Sequence, residues 1–265
     1  MGVNMDSIKI IDCHTHIFPD EIAEKAISFL EDHYNMPWQC KGTYSDLIKN
    51  ISDANIYKVL VFSSSMKKSQ VETINTYIAG LPDERIIGFG SIHPDYENYK
   101  QEIKRIVSLG LRGIKLHPDF QNFEIDDERM LKIYEEIDDK LPVLIHIGDE
   151  VSDFSSPKRM ARVLDLFPNV TFIAAHLGGY MRWEEASEHL VGRNIYLDTS
   201  STLCKLSPDD AAKIILAHGS DKILFGTDYP AVSHKYEIDS FMKIPISDDD
   251  RAKILSENAI KLFNL

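Results

Sequence analysis

Cysteine is scarce in this chain: Cys13, Cys40 and Cys204 are the only three in 265 residues, and no two form a CxxC pair. A scaffold built on disulfides is therefore not expected, and a reducing cytoplasmic setting fits best. Long apolar runs are missing too. None approaches the roughly 18 residues that span a bilayer, and the opening MGVNMDSIKI lacks an apolar core before a small-residue cleavage site, so a soluble, unexported protein is expected. Positive charge is in short supply, with 29 Lys and Arg against 42 Asp and Glu and a formal charge of −13. That balance argues against nucleic acid and, more weakly, against anionic membranes as partners, and it leaves a small-molecule substrate open because a pocket can carry its own local sign. No GxGxxG follows the first apolar run, which removes the main support for a dinucleotide site. No linker-like stretch breaks the chain, so residues 1–265 read as a single domain.

What the chain does have is rhythm. Short β-branched and apolar runs, each ending in Gly, Pro, Ser, His or Asp, recur at 8–16, 57–65, 86–94, 111–118, 142–150, 170–179, 194–201 and 222–230. Amphipathic stretches separate them, such as those at 96–110, 127–140 and 156–167. Ser156-Pro157 and Ser207-Pro208 look like helix starts, and Gly110 like a helix stop. Eight strand-helix units in this length predict a parallel (β/α)8 TIM barrel rather than an open sheet. The longest gap follows strand one and leaves from its C-terminal end, so an insertion over the catalytic face is expected. Within it, Tyr34-Asn35-Met36-Pro37-Trp38 reads either as a lid or pocket wall or as a helix-helix corner packed on the barrel.

Strand one ends Asp12-Cys13-His14-Thr15-His16. Alternation predicts Asp12, His14 and His16 on one face and Ile11 and Cys13 on the other. Alone, the HxH could be a metal-ligating pair or two hydrogen-bonded structural histidines. The other strand ends tilt the reading towards metal: His146, His176 and Asp228 close strands five, six and eight at the same depth, where barrel active sites form. Three imidazoles and a carboxylate suit Zn2+ or another divalent transition ion, with a position left for water. Lys115 and His117 end strand four on one face. A lysine aimed at a cation must be deprotonated, be carbamylated into an anion that bridges a second metal, or bind an anionic substrate group; pairing with a structural carboxylate is the remaining reading. His117 is a candidate for supporting or substrate contacts. Asp12 and Asp198 could orient ligand imidazoles or be satisfied polar residues of the barrel. His93 could line the mouth, and Arg159, Arg182 and Trp183 could meet substrate, although helix-start and solvent roles serve those three as well.

Taken together, IDCHTH, IHIG, AAHLGG, YLDTS and ILFGTDYP resemble the amidohydrolase superfamily, in particular the amidohydrolase-related branch that includes aminocarboxymuconate-semialdehyde decarboxylase. The resemblance runs from residue 10 to about residue 264. It implies that His14, His16, His146 and Asp228 are ligands of one metal, and that His176 is a catalytic or second-metal histidine. Lys115 resembles the carbamylated lysine of dihydroorotase-like and phosphotriesterase-like relatives; if it bridged two ions, His146 and His176 would hold the second. One ion rather than two is the expectation.

The leading expectation for the reaction is hydrolysis, with metal-activated water attacking an amide, lactone or ester carbonyl, Asp228 taking the proton and His176 stabilising the oxyanion. The alternative is non-oxidative decarboxylation of an unsaturated or aromatic acid, with Asp228 and His176 managing the proton. A non-catalytic metal-binding barrel is the third. A homodimer is the default assembly.

Overall fold

The computed structural model describes residues 9–265. Residues 1–8, which carry most of the opening segment read above as lacking an export signal, lie outside them. Nine short strands run in parallel: β1 (Ile11–His16), β2 (Lys58–Phe62), β3 (Ile86–Gly88), β4 (Gly90–Ser91), β5 (Ile114–Leu116), β6 (Val143–Ile145), β7 (Phe172–Ala174), β8 (Tyr196–Asp198) and β9 (Ile223–Leu224). Each of the eight expected runs contains a strand, and the third is split in two at Phe89. Across that break Phe89 N donates to Val61 O (2.9 Å) and Gly90 N to Gly113 O (2.9 Å), so the wall stays continuous. Beyond β9 the chain turns back to β1: Cys13 N donates to Phe225 O (2.8 Å), His16 N to Tyr229 O (2.7 Å) and Asp228 N to His14 O (2.9 Å). Those bonds close the sheet, and the fold is a (β/α)8 barrel.

The period-2 pattern sorts the strands into two apolar layers. Ile11, Leu60, Phe62, Leu144, Ile173 and Leu224 fill the barrel interior, and their alternates, such as Val59, Val61, Val143 and Ile145, pack against the helices. The helix signals act where expected. Ser156 accepts from Arg159 N at the start of α7 (Pro157–Leu166), Ser207 accepts from Asp210 N at the start of α9 (Pro208–His218), and Gly110 takes φ +78 just beyond α4 (Tyr99–Ser108). No helix among the described residues is long and apolar enough to cross a membrane.

Between β1 and β2 stand α1 (Asp20–Tyr34) and α2 (Tyr44–Asp53). The joint between them is both a corner and a wall. Asn35 (φ 48) closes α1, Trp38 N donates to Glu31 Oε1 (2.8 Å), and Gln39 N and Cys40 N donate to Ala231 O (3.0 Å) and Pro230 O (3.1 Å). The segment is thus tied to the loop that carries Asp228, at the C-terminal mouth of the barrel.

Candidate metal centre

β1 does not keep its alternation. Asp12 is opposite Val59 and Thr15 opposite Val61, so three residues on β1 span two on β2, and one extra residue is accommodated between them. Such a bulge re-aims every side chain beyond it. Asp12 therefore faces outward, away from His14 and His16, which correct alternation would have put beside it. The outward carboxylate accepts from His14 N (2.9 Å), Thr227 N (3.1 Å) and the hydroxyls of Thr15 (3.0 Å) and Thr227 (2.6 Å), and so clamps β1 to the Asp228 loop. Asp198 is the carboxylate that orients an imidazole: its Oδ2 lies 2.8 Å from His14 Nδ1.

Around the mouth, His14 Nε2, His16 Nε2 and Asp228 Oδ1 form a triangle with every side 3.3 Å. Ligands about 2.1 Å from a tetrahedral ion stand about 3.4 Å apart, so the triangle fits one face of a metal site without rearrangement. Protonation agrees with that. Because His14 Nδ1 donates to Asp198, its Nε2 keeps a lone pair directed inward. Burial pushes His16 down to about 4 despite Asp228 beside it, leaving a neutral imidazole at neutral pH. Burial works in the opposite sense on the carboxylates, yet His14 and its neighbours outweigh it, holding Asp198 down to about 2 and Asp228 well below the usual carboxylate range.

His146 and His176 form a second element of the mouth. The outer nitrogens face carbonyls, His146 Nε2 at 2.7 Å from Gly148 O and His176 Nδ1 at 2.8 Å from Ser200 O. A carbonyl only accepts, so both outer nitrogens carry protons, and the inner pair, His146 Nδ1 and His176 Nε2, meet at 2.9 Å as lone-pair nitrogens. That is the tautomer a metal ligand or a proton carrier needs. Gly148 makes the turn possible: it sits at φ +94, and a Cβ there would lie 2.3 Å from Tyr180 O. His176 (φ 60) and Asp228 (φ 62) hold left-handed backbone that ordinary residues avoid, as functional positions often do.

Lys115 is wholly buried beside this triangle, its Nζ 3.1 Å from His14 Nε2 and 4.7 Å above the Phe62 ring. No carboxylate of a described residue comes within ion-pair distance of it, and burial depresses its amine to about 8. His117 follows β5, stacks on His146 (4.0 Å, 10°) and on Phe120 (4.1 Å), and meets Tyr34 Oη through Nε2 at 3.4 Å. Together with Asp119 it makes a second cluster of donors around His146. Asp119, Ser200 and Ser201 carry no residue pattern of their own that marks them for this site. Ser200 Oγ lies 2.9 Å from His14 Nδ1, and Ser201 Oγ donates to Asp228 Oδ2 (2.5 Å). The two serines lie two and three residues beyond Asp198 at a strand end, the one signal that could have flagged them. Other candidates lie apart. His93 Nδ1 accepts from Asp95 N (3.1 Å), Arg159 pairs with Glu124, Asp126 and Asp153, and Arg182 pairs with Asp153 and Glu185. Trp183 donates its indole N–H to His176 O (2.8 Å) from behind.

Above the donors opens a cavity of about 340 Å³, lined by His16, His117, His146, His176 and Asp228 on the barrel side and by Phe18, Ile22, Phe29 and Leu30 on the α1 side. Tyr34 and Trp38 complete its wall, as the pocket-wall reading of that segment expects.

A closed barrel with clustered imidazoles and a carboxylate at its C-terminal mouth offers the donor set of a divalent-metal site. The amidohydrolase family model (Amidohydro_2) matches residues 11–265, and the chain belongs to that family. Among curated relatives, the chain is 26% identical over 144 residues to 2-amino-3-carboxymuconate-6-semialdehyde decarboxylase of Caenorhabditis elegans, covering 47% of this chain and 35% of that protein. It is 32% identical over 123 residues to gamma-resorcylate decarboxylase of a Polaromonas species, covering 39% and 37%. The matches span little more than a third of each relative. Among solved structures, a TIM-barrel protein of Bordetella bronchiseptica superposes with a TM-score of 0.76 at 20% identity, over 97% of this chain and 99% of that one. A dihydroxybenzoic acid decarboxylase of Polaromonas, solved with manganese and 2-nitroresorcinol, gives 0.73 at 18% identity over 97% of both chains.

Proposed function

We propose that this protein is a metal-dependent, non-oxidative decarboxylase of a small aromatic or unsaturated carboxylic acid. This is the alternative of the sequence analysis, and it is preferred to hydrolysis. The observation that carries it is the ring-sized, largely apolar cavity opening directly onto the histidine-carboxylate triangle, with Asp228 and His176 in its wall. Both curated relatives bear decarboxylase names, and neither bears a hydrolase name.

In this reading His14, His16 and Asp228 would hold one divalent ion, and His146, which clusters with His117 and Asp119 rather than with that triangle, would turn Nδ1 towards it as a fourth ligand. Manganese stands beside zinc as a candidate, since the Polaromonas neighbour was solved with manganese. When bound, the ion supplies a Lewis acid that anchors and polarises an anionic substrate group. The chain's own residues do the rest. The apolar walls hold the ring and exclude water. Asp228 and His176 pass a proton to the carbon bearing the carboxylate; a C–H bond forms, the C–C bond breaks, and carbon dioxide leaves while its bonding pair returns to the unsaturated system. Lys115 remains a buried amine next to His14 and joins no second metal.

The test is incubation of the manganese-loaded protein with a panel of hydroxybenzoic and dienoic acids in deuterium oxide. Release of carbon dioxide with one deuterium at the vacated carbon is expected, and His176→Asn should lose turnover while keeping its metal. Hydrolysis of esters, lactones or amides with solvent oxygen in the product, and no carbon dioxide from any acid, would overturn the reading.

A further inference from the structure

The charge inventory of the cavity is lopsided in a way that bears on what it accepts. Among the described residues lining it there is no arginine, and Lys25 on α1 is the one lysine. Lys25 is exposed at the mouth, so an ion pair formed there is screened by water and stabilises little. Lys115 is buried behind His14 and is not part of the lining. The helix over the opening carries Asp20, Glu21, Glu24, Glu31 and Asp32 against that single lysine. None of these carboxylates lines the cavity, but their field over the mouth disfavours a ligand in proportion to its negative charge.

The apolar surface does not stop inside. Ile22 (50% exposed), Phe29 (47%) and Met66 (43%) extend it from the cavity to the rim. Exposed apolar side chains contiguous with a pocket mark a ligand-contacting surface rather than a random scatter. A second carboxylate on the far side of the ring would have to be desolvated against these side chains with no buried cation to receive it.

We infer that the substrate is a monocarboxylic acid with a single ionised group, directed at the metal ligands, and an uncharged, apolar remainder that lies along α1 towards Ile22, Phe29 and Met66. Ring dicarboxylates are excluded as good substrates. This rests on the decarboxylase reading and sharpens it from aromatic or unsaturated acids in general to monoanionic acids carrying an apolar substituent.

The test uses the manganese-loaded full chain and two matched probes, 4-propylbenzoate and benzene-1,4-dicarboxylate, with dissociation constants measured by calorimetry. The propyl acid is expected to bind at least tenfold more tightly than the diacid, and Phe29→Arg, which places a cation on the apolar track, is expected to shrink or reverse that ratio. Equal or tighter binding of the diacid to the unaltered protein overturns the inference and leaves the decarboxylase reading standing. If carbon dioxide is released from diacids only, the inference fails alone. If neither probe binds a protein shown to hold manganese, the inference and the carboxylate-at-metal reading fail together.

Discussion

At the scale of single residues, the site depends on keeping imidazoles neutral and correctly turned. Asp198 fixes the orientation of the His14 ring through Nδ1, and Asp198→Asn should weaken manganese binding by about 10- to 100-fold, as loss of a carboxylate behind a ligand histidine generally does. Chelator competition measures it; an unchanged affinity would remove Asp198 from the account. Neutrality has a consequence for stability. Burial takes His16 and His176 from 6.5 down to about 4, so between those values the unfolded chain binds protons that the metal-free folded chain refuses. Stability is therefore intact above about 6.5 and falls as pH drops towards 4, by an amount on the order of a few kcal/mol for the two together. Urea midpoints of the chelated protein at pH 7.5 and 5 give the check, and a midpoint that does not fall contradicts it. The ligand-type residues were visible in the sequence because they end strands at one depth. Their partners were less so: Asp12 and Asp198 were equivalent candidates until the bulge in β1 turned Asp12 outward, and a one-residue insertion in a strand has no composition of its own.

At the scale of elements, the join between β1 and the loop after β9 carries the whole triangle, since His14, His16 and Asp228 all hang from it. Asp12 holds that join with four accepted hydrogen bonds, and α10 (His234–Phe241) presses two more buried groups against it. His234 Nε2 is 3.1 Å from Asp12 Oδ2 without in-line hydrogen-bond geometry, and Glu237, pushed up to about 8 by burial and by the charges of Asp12 and Asp228, stays protonated at neutral pH. Asp12→Ala leaves the buried amides of His14 and Thr227 without acceptors and should destabilise the fold by about 3 kcal/mol or more, read from denaturant unfolding. A loss within about 0.5 kcal/mol would show that the clamp is dispensable. Gly226→Ala probes the same join from inside, because a Cβ there would lie 2.8 Å from His14 Cβ. Lower metal occupancy is expected from it, and full occupancy by elemental analysis would count against the close fit. Element order and the capped helix starts were readable from periodicity and from Ser-Pro pairs. The split at Phe89 was not, because an apolar run carries no mark of where its pairing changes partner.

At the scale of the whole molecule, the barrel brings residues from 14 to 228 to one mouth, and the longest inter-strand segment puts the apolar face of α1 above them. Strand-helix alternation made that architecture readable, while the cavity's shape depends on how α1 settles on the barrel, which no local pattern encodes. The account stands on the metal centre at that mouth. Its most direct test is anomalous scattering from crystals of the manganese-loaded protein. One peak bonded to His14 Nε2, His16 Nε2 and Asp228 Oδ1, with no bond to Lys115, is predicted. An absent peak, a peak held elsewhere, or two ions bridged by a modified Lys115 would contradict it.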